Sequence, residues 1–285
     1  MRRNVLSFIC MLACSASLVG CGGNDSSSTA KEKLYVGLEC NYAPFNWTQN
    51  SATDSNYIID GTKTYAEGYD VQIAKIIADE LNMELVIKKL EWDALIPSVQ
   101  SSTIDLIIAG MSPTESRKID IDFTNPYYTS EHVLLVEADG AYANITSVSE
   151  LSGAKIAGQI GTLYDDIAHA IPGVVVGGDK PTVPEIITEL QAGLIDGTVL
   201  ELPVAQGLAA ANSDLKMIRF AEGKGFTQLI DEDTNELRDI VDTDRDVSIG
   251  LAKGRDELKA SINTILEGIS EEERTSIMQT AVENQ

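Results

Sequence analysis

Short apolar runs alternate with amphipathic helical stretches along this chain, and the alternation starts over part-way through. Residues 34–38, 85–89 and 105–109 read as strands. Between them, Val71, Ala74, Ile77, Ala78 and Leu81 mark one helix, and Trp92, Leu95, Ile96 and Val99 mark a second. This βαβαβ succession implies a parallel sheet with right-handed crossovers. A second round follows: strand 155–158, a helix opened by Gly161-Thr162, strand 174–176, a helix over 184–192, strand 198–200 and a helix from Pro203 to Ala211. Residues 133–136 leave the first unit and 247–252 cross back. Two such crossovers make a two-strand hinge between lobes that can close on a ligand. Helices over 256–268 and 270–282 end the chain. Two stretches fall outside this plan. Residues 48–66 are polar and read as an inserted surface loop with a small hairpin around Asp60-Gly61. Residues 220–246 are polar and acidic, a second insertion.

The junction after the third strand, Gly110 to Arg117, is the most informative turn. Ser112 reads as an N-cap, Pro113 as the first helical residue, and Glu115 as the capping-box partner. A strand running into a helix start favours an anion, and the amide of Thr114 is expected to be free for one. Arg117, one turn on, is the side chain best suited to hold a carboxylate through two parallel hydrogen bonds. In open parallel sheets ligands sit beyond the carboxyl ends of the strands. Ser112 and Thr162 bring helix starts to that level from the two units.

The 285 residues have room for two domains. The formal net charge of −23 argues against nucleic acid, whose phosphates require Lys and Arg. Residues 1–20 read as a signal peptide: Arg2 and Arg3 precede an apolar stretch over 5–18 that is short for a membrane span. Residues 21–33 read as a flexible tether. Cys10 and Cys14 fall in the signal, so Cys40 alone belongs to the folded part and has no disulfide partner. It reads as a small core residue.

No catalytic set, Walker loop, dinucleotide fingerprint or Cys/His metal spacing stands out. Asp242, Asp244 and Asp246 begin like a calcium loop, but Val247 replaces the glycine at its sixth position and Lys253 the glutamate at its twelfth. What remains is a recognition set: Arg117, the helix starts, the carboxylates Glu39 and Glu201 near strand ends, and the aromatics Tyr42, Phe45, Trp47 and Trp92. A free amino acid needs a cationic clamp, an anionic partner and flat apolar walls.

The order and spacing of several stretches resemble the polar amino-acid class of extracellular solute-binding proteins, family 3. They are Val36-Gly37 through Tyr42-Ala-Pro-Phe45, Gly68-Tyr-Asp-Val71, Trp92-Asp-Ala-Leu-Ile-Pro97, Ile104 to Thr114 with Arg117, and Phe123 to Tyr128. Gly158-Gln-Ile-Gly-Thr162, Ile195-Asp196 with Glu201 and Pro203, and Ile249 to Gly254 continue the match. Leu18-Val19-Gly20-Cys21 resembles a bacterial lipobox, which implies lipid on Cys21 and a membrane anchor facing the extracellular or periplasmic side.

The resemblance implies an α/β, two-lobed, periplasmic-binding-protein-like type II fold, each lobe a mainly parallel sheet flanked by helices. Lobe 1 would hold residues 34–134 and 252–285, and lobe 2 residues 135–251. It implies a monomeric, non-enzymatic receptor without cofactor or metal, serving the permease and ATPase of an ABC importer. Arg117 would hold the ligand α-carboxylate with Gly110, Ser112 and Thr162; Glu201 would take the α-ammonium; Tyr42 and Trp92 would sandwich the side chain. Glu39 stands where members that bind cations carry an acid, so arginine or lysine is the first expectation. A neutral ligand such as glutamine is the alternative, and a dehydratase-like enzyme on the same fold is the rival of another class. Glu201 in place of the usual aspartate, and Leu163 in place of a frequent second threonine, depart from the family pattern.

Overall fold

The computed structural model describes residues 31–178 and 180–285; Cys21, the signal segment and the tether through residue 30 lie outside the described residues. The rest is built on two five-stranded sheets. The first has the order Glu84–Lys89, Lys33–Leu38, Leu106–Ile107, Asp246–Leu251, Asp122–Thr129. The second has the order Val175–Val176, Lys155–Ala157, Gly197–Glu201, His132–Glu137, Leu215–Ile218. In each, the βαβαβ succession supplies three parallel strands, and two antiparallel strands complete the sheet. The antiparallel members include the strands that arrive from the hinge.

The crossings lie elsewhere than the run of apolar residues suggested. Strand Asp246–Leu251 belongs to the first sheet, paired with Asp122–Thr129, rather than to the second lobe of an assumed 135–251 segment. The chain passes between sheets at residues 130–131 and returns at 240–245. There the amide of Ser130 donates to Arg245 O at 2.9 Å, which ties the two crossings together. An apolar run signals a buried strand but does not say which sheet it joins. Strand Asp122–Thr129 contains Pro126 and lies at the sheet edge, where a missing N–H is tolerated.

Helix α1 (Tyr69–Glu80) and helix α2 (Trp92–Gln100) are the crossovers of the first sheet, and α3 (Glu115–Asp120) is one short turn after its third strand. Helices α4 (Leu163–Ala170), α5 (Val183–Gln191) and α6 (Leu202–Ala211) serve the second sheet. Helices α7 (Asp256–Gly268) and α8 (Glu271–Glu283) end the chain. Alternation sorts the second sheet between two cores: Val133 and Leu135 join the large one, Leu134 and Val136 the smaller one under α4.

The insertions are ordered. Residues 48–66 contribute to a small four-stranded sheet of Asn41–Tyr42, Asn46–Gln49, Tyr65–Glu67 and Tyr57–Ile58. Residues 220–246 hold a hairpin of Gln228–Ile230 and Leu237–Asp239, anchored by Leu229 in the smaller core. Asp244, one of the calcium-like acids, takes two hydrogen bonds from the Arg238 guanidinium at 2.6 and 2.8 Å. Among the described residues no helix is long and apolar enough to cross a membrane.

Candidate functional site

The ends of the central strands of both sheets meet at one pocket. Glu39 follows Lys33–Leu38, Gly110 and Ser112 follow Leu106–Ile107, and Gln159 and Thr162 follow Lys155–Ala157. The pocket is small, about 20 Å³, room for about one water molecule, and is lined by Glu39, Tyr42, Trp92, Gly110, Ser112, Arg117 and Thr162. Ala109, Gln159, Leu163 and Tyr164 complete the wall.

Arg117 is the centre of this wall. Its side chain is 7% exposed, and burial lowers its pKa against the raising influence of Glu232 and Asp166. Nη1 donates to Ser112 O at 2.9 Å, and Nη2 reaches across to Gly161 O at 3.0 Å. The guanidinium lies 5.2 Å from the Trp92 ring centroid, a cation–π arrangement, and Trp92 Nε1 donates to the same Gly161 oxygen at 2.9 Å. Gly161 turns its carbonyl into this position with φ +70°, a conformation other residues rarely adopt.

The helix start differs from the expectation. Thr114, not Ser112, is the N-cap of α3, its hydroxyl accepting from the amide of Arg117 at 3.3 Å. The amide of Thr114 is engaged with Ser112 O at 3.0 Å, so it is not free for a ligand. Pro113 therefore shapes the turn before the helix instead of starting it. Thr162 does occupy the N-cap position of α4, but its hydroxyl donates to Gln159 O at 2.7 Å rather than capping the helix. The amide of Gly110 donates to the Tyr127 hydroxyl at 3.2 Å.

The two acids sit differently. Glu39 lines the pocket, and Gln159 Nε2 donates to its Oε1 at 3.1 Å. Burial pushes its carboxyl up to about 7, against the lowering effect of Gln159. Glu201, 1% exposed, lies behind the wall, next to the hydroxyls of Tyr164 and Tyr42. Those hydroxyls approach closely enough to lower its pKa, while Glu201 Oε2 and the Tyr42 hydroxyl have no partner at hydrogen-bond geometry. Burial nevertheless prevails and raises Glu201 to about 8. A buried acid of this kind is poised to meet a cation.

Beneath the pocket, Asp70 of α1 accepts from Tyr127 Oη at 2.6 Å and from Asn46 Nδ2 at 2.8 Å. Asn46 in turn accepts from the amide of Cys40 at 2.7 Å, and Tyr42 stacks on buried Phe45 at 5.6 Å. This network fixes the turn that carries Glu39 and Tyr42. Cys40 is buried and free, its thiol pushed up to about 12 by burial, which leaves it inert. Trp47 is half-buried and stands apart from the pocket wall.

Gln159 and Tyr164 are the residues that sequence reasoning missed. Gln159 lies inside the Gly158-to-Thr162 stretch, but nothing in that stretch says a glutamine points inward. Tyr164 is in the first turn of α4, where a helix start and the strand end converge. Gly158 permits this: a Cβ there would lie 2.4 Å from Asp165 Cα, too close without moving the backbone.

Residues 34–281 match the sequence model of the bacterial extracellular solute-binding proteins, family 3. The chain belongs to that family. This family-3 protein is 27% identical over 203 residues to the arginine-binding extracellular protein ArtP of Bacillus subtilis, covering 70% of this chain and 73% of that one. It is 30% identical over 235 residues to a probable histidine-binding protein of Campylobacter jejuni, covering 79% and 84%. Among solved structures, the amino acid ABC transporter substrate-binding protein AbpA of Streptococcus pneumoniae, bound to L-arginine, superposes with a TM-score of 0.69 at 27% identity. That match covers 88% of this chain and 94% of the other. An ancestral arginine-binding protein bound to glutamine gives a TM-score of 0.69 at 25% identity, covering 88% and 97%. The two-lobed type II binding-protein fold read from the sequence is thus the fold of this family-3 chain.

Proposed function

We propose that this protein is the substrate-binding subunit of an amino-acid ABC importer, a receptor rather than an enzyme, and that its ligand is a free amino acid with a cationic side chain, arginine or lysine. The observation that carries the reading is one pocket between the lobes lined by a buried guanidinium, Arg117, and a buried acid, Glu39, with a second buried acid, Glu201, behind its wall beside Tyr42 and Tyr164. Arg117 holds the α-carboxylate, replacing the Gly161 carbonyl contact, with Ser112 and Thr162 alongside. Glu201, beside the Tyr42 and Tyr164 hydroxyls, takes the α-ammonium. Glu39 receives the side-chain cation, and Tyr42 and Trp92 flank its aliphatic part. Ionising both acids beside one arginine would leave a negative excess, and an unpaired buried charge costs about 3–5 kcal/mol, so without ligand burial keeps them wholly or partly protonated. A ligand of net positive charge removes that excess. The relatives named for arginine and histidine support this choice.

A neutral ligand such as glutamine is the second reading. It is favoured by Gln159 already satisfying one oxygen of Glu39, whose raised pKa makes a neutral carboxyl accessible. Calorimetric titration with each of the twenty amino acids decides between them. Binding of arginine or lysine in preference to glutamine supports the first; no binding by any amino acid rejects both. Lipid on Cys21 and anchoring to the outward face of the membrane complete the proposal; Cys21→Ala should release the protein from the membrane fraction. The permease and ATPase are the proposed partners, and the working unit is a monomer of two lobes, 34–129 with 246–285 and 132–240.

A further inference from the structure

The hairpin of the second insertion has no place in the binding reading so far, yet its turn reaches the outer side of Arg117, a residue of the pocket wall. Its base is fixed: Leu229 is buried under α4, and Arg238 pairs with both Asp231, at 3.2 Å, and Asp244. Its turn is shaped by Asp231, whose carboxylate accepts from the amides of Asp233 and Thr234. The residue thrown forward by this turn is Glu232. Its Oε2 accepts a hydrogen bond from the Ser116 hydroxyl, on α3 of the other lobe. Its Oε1 lies 4.0 Å from Arg117 Nη2. A second cavity opens on that outer side of Arg117, with Trp92, Gly161, Glu232 and Asp233 among its walls. Glu232 thus lines this cavity beside the guanidinium and Trp92, which also line the ligand pocket.

We propose that the hairpin Gln228 to Asp239 is a lid over the ligand pocket and that Glu232 is its latch, a positioning residue that grips Ser116 and Arg117 from the opposite lobe. The latch acts in two ways. It holds Arg117 from outside while Ser112 O holds it from within, so the guanidinium presents a fixed edge to the pocket. It also joins the lobes at the mouth, so a captured ligand leaves only after this contact opens. The contact is made of a flexible carboxylate, a hydroxyl and a guanidinium, groups that find water readily when they part, so it can open and re-form. This role rests on the amino-acid reading above, because it assigns the contact to ligand retention.

The test measures the dissociation rate of L-arginine by stopped flow in wild type, Glu232→Ala, Glu232→Gln, Ser116→Ala and the double Ala variant. Each Ala variant should release arginine about tenfold faster with little change in association rate. The double variant should match Glu232→Ala, because the Ser116 contact is already lost with the Glu232 carboxylate. Glu232→Gln keeps an acceptor for Ser116 and should recover part of the retention, which a merely structural role would not require. Unchanged dissociation rates, or additive effects of the two substitutions, overturn the latch. A second arm needs no ligand: spin labels at Ile119→Cys and Leu237→Cys, both exposed, report the distance between α3 and the hairpin. Their distance distribution should broaden on adding Glu232→Ala, and an unaltered distribution also overturns the latch. If wild type fails to bind arginine while the label distance still responds, the binding reading has failed and the cross-cleft contact stands.

Discussion

Gln159 Nε2 donates to Glu39 Oε1 at 3.1 Å, joining two residues that each follow a central strand of opposite lobes. The same amide nitrogen donates to Pro181 O at 2.9 Å, so the glutamine is held from behind as it reaches across. Glu39 is therefore one wall of the pocket and one end of a bridge between lobes. Its second oxygen is the one left to face a ligand cation.

That double role separates two substitutions. Glu39→Gln keeps an acceptor for Gln159 but removes the charge. Affinity for arginine or lysine should fall by about 10- to 100-fold, matching the loss of one buried charge-assisted hydrogen bond. Affinity for glutamine should change far less. Calorimetry on both ligands reads the difference; equal losses for the two would place the side-chain cation elsewhere.

Arg117→Lys tests the carboxylate clamp. A lysine ammonium is a point charge, and it cannot hold Ser112 O and a carboxylate in one fixed plane as a guanidinium does. Losing one of two charge-assisted bonds removes about 2–3 kcal/mol, so the dissociation constant should rise by about 30- to 150-fold. Arginine binding unchanged in Arg117→Lys would exclude Arg117 as the clamp.

The sequence carried the strand–helix alternation, because apolar period and capping residues are local. It also carried most of the pocket wall, because in this fold strand ends and the turns after them are neighbours by construction. It did not carry sheet membership of Asp246–Leu251, since pairing partners lie over a hundred residues away, as with Val247 and Tyr128. It misassigned the cap at Ser112 because Ser112, Thr114 and Ser116 all satisfy the same local rule, and only the turn at Pro113 selects Thr114. Glu201 was legible as an acid at a strand end, but not its place behind Tyr164. That depends on how α4 meets a strand of the same sheet.

Tyr127→Phe tests the scaffold beneath the pocket. The Tyr127 hydroxyl donates to Asp70 and accepts from the amide of Gly110, all three buried. Its removal strands a carboxylate oxygen and an N–H away from water, at about 1–3 kcal/mol. Urea unfolding should show a lower midpoint at unchanged slope. Because Gly110 and Tyr42 rest on this network, arginine affinity should also drop, though less than in Arg117→Lys.

Ligand capture should be linked to protons. Burial raises the carboxyls of Glu39 to about 7 and Glu201 to about 8, from an ordinary 4.5. Raised acids favour the folded protein below pH 4.5, where both states are neutral, and this contribution is lost as pH climbs through 7 and 8. Without ligand, the thermal midpoint should therefore drift down between pH 5 and about 8.5. A cationic ligand needs both acids ionised, so binding expels their protons. At pH 7 both acids hold protons without ligand, so between one and two protons should be released per arginine bound. Calorimetry in buffers of different ionisation heat counts them directly. Affinity should rise by about 100-fold or more from pH 6 to pH 8 and then level off. The arginine guanidinium stays charged throughout, so the slope belongs to the protein. Glu39→Gln should reduce the slope by the share of one acid, and a flat affinity across this range would exclude ionised Glu39 and Glu201 as the cation's partners.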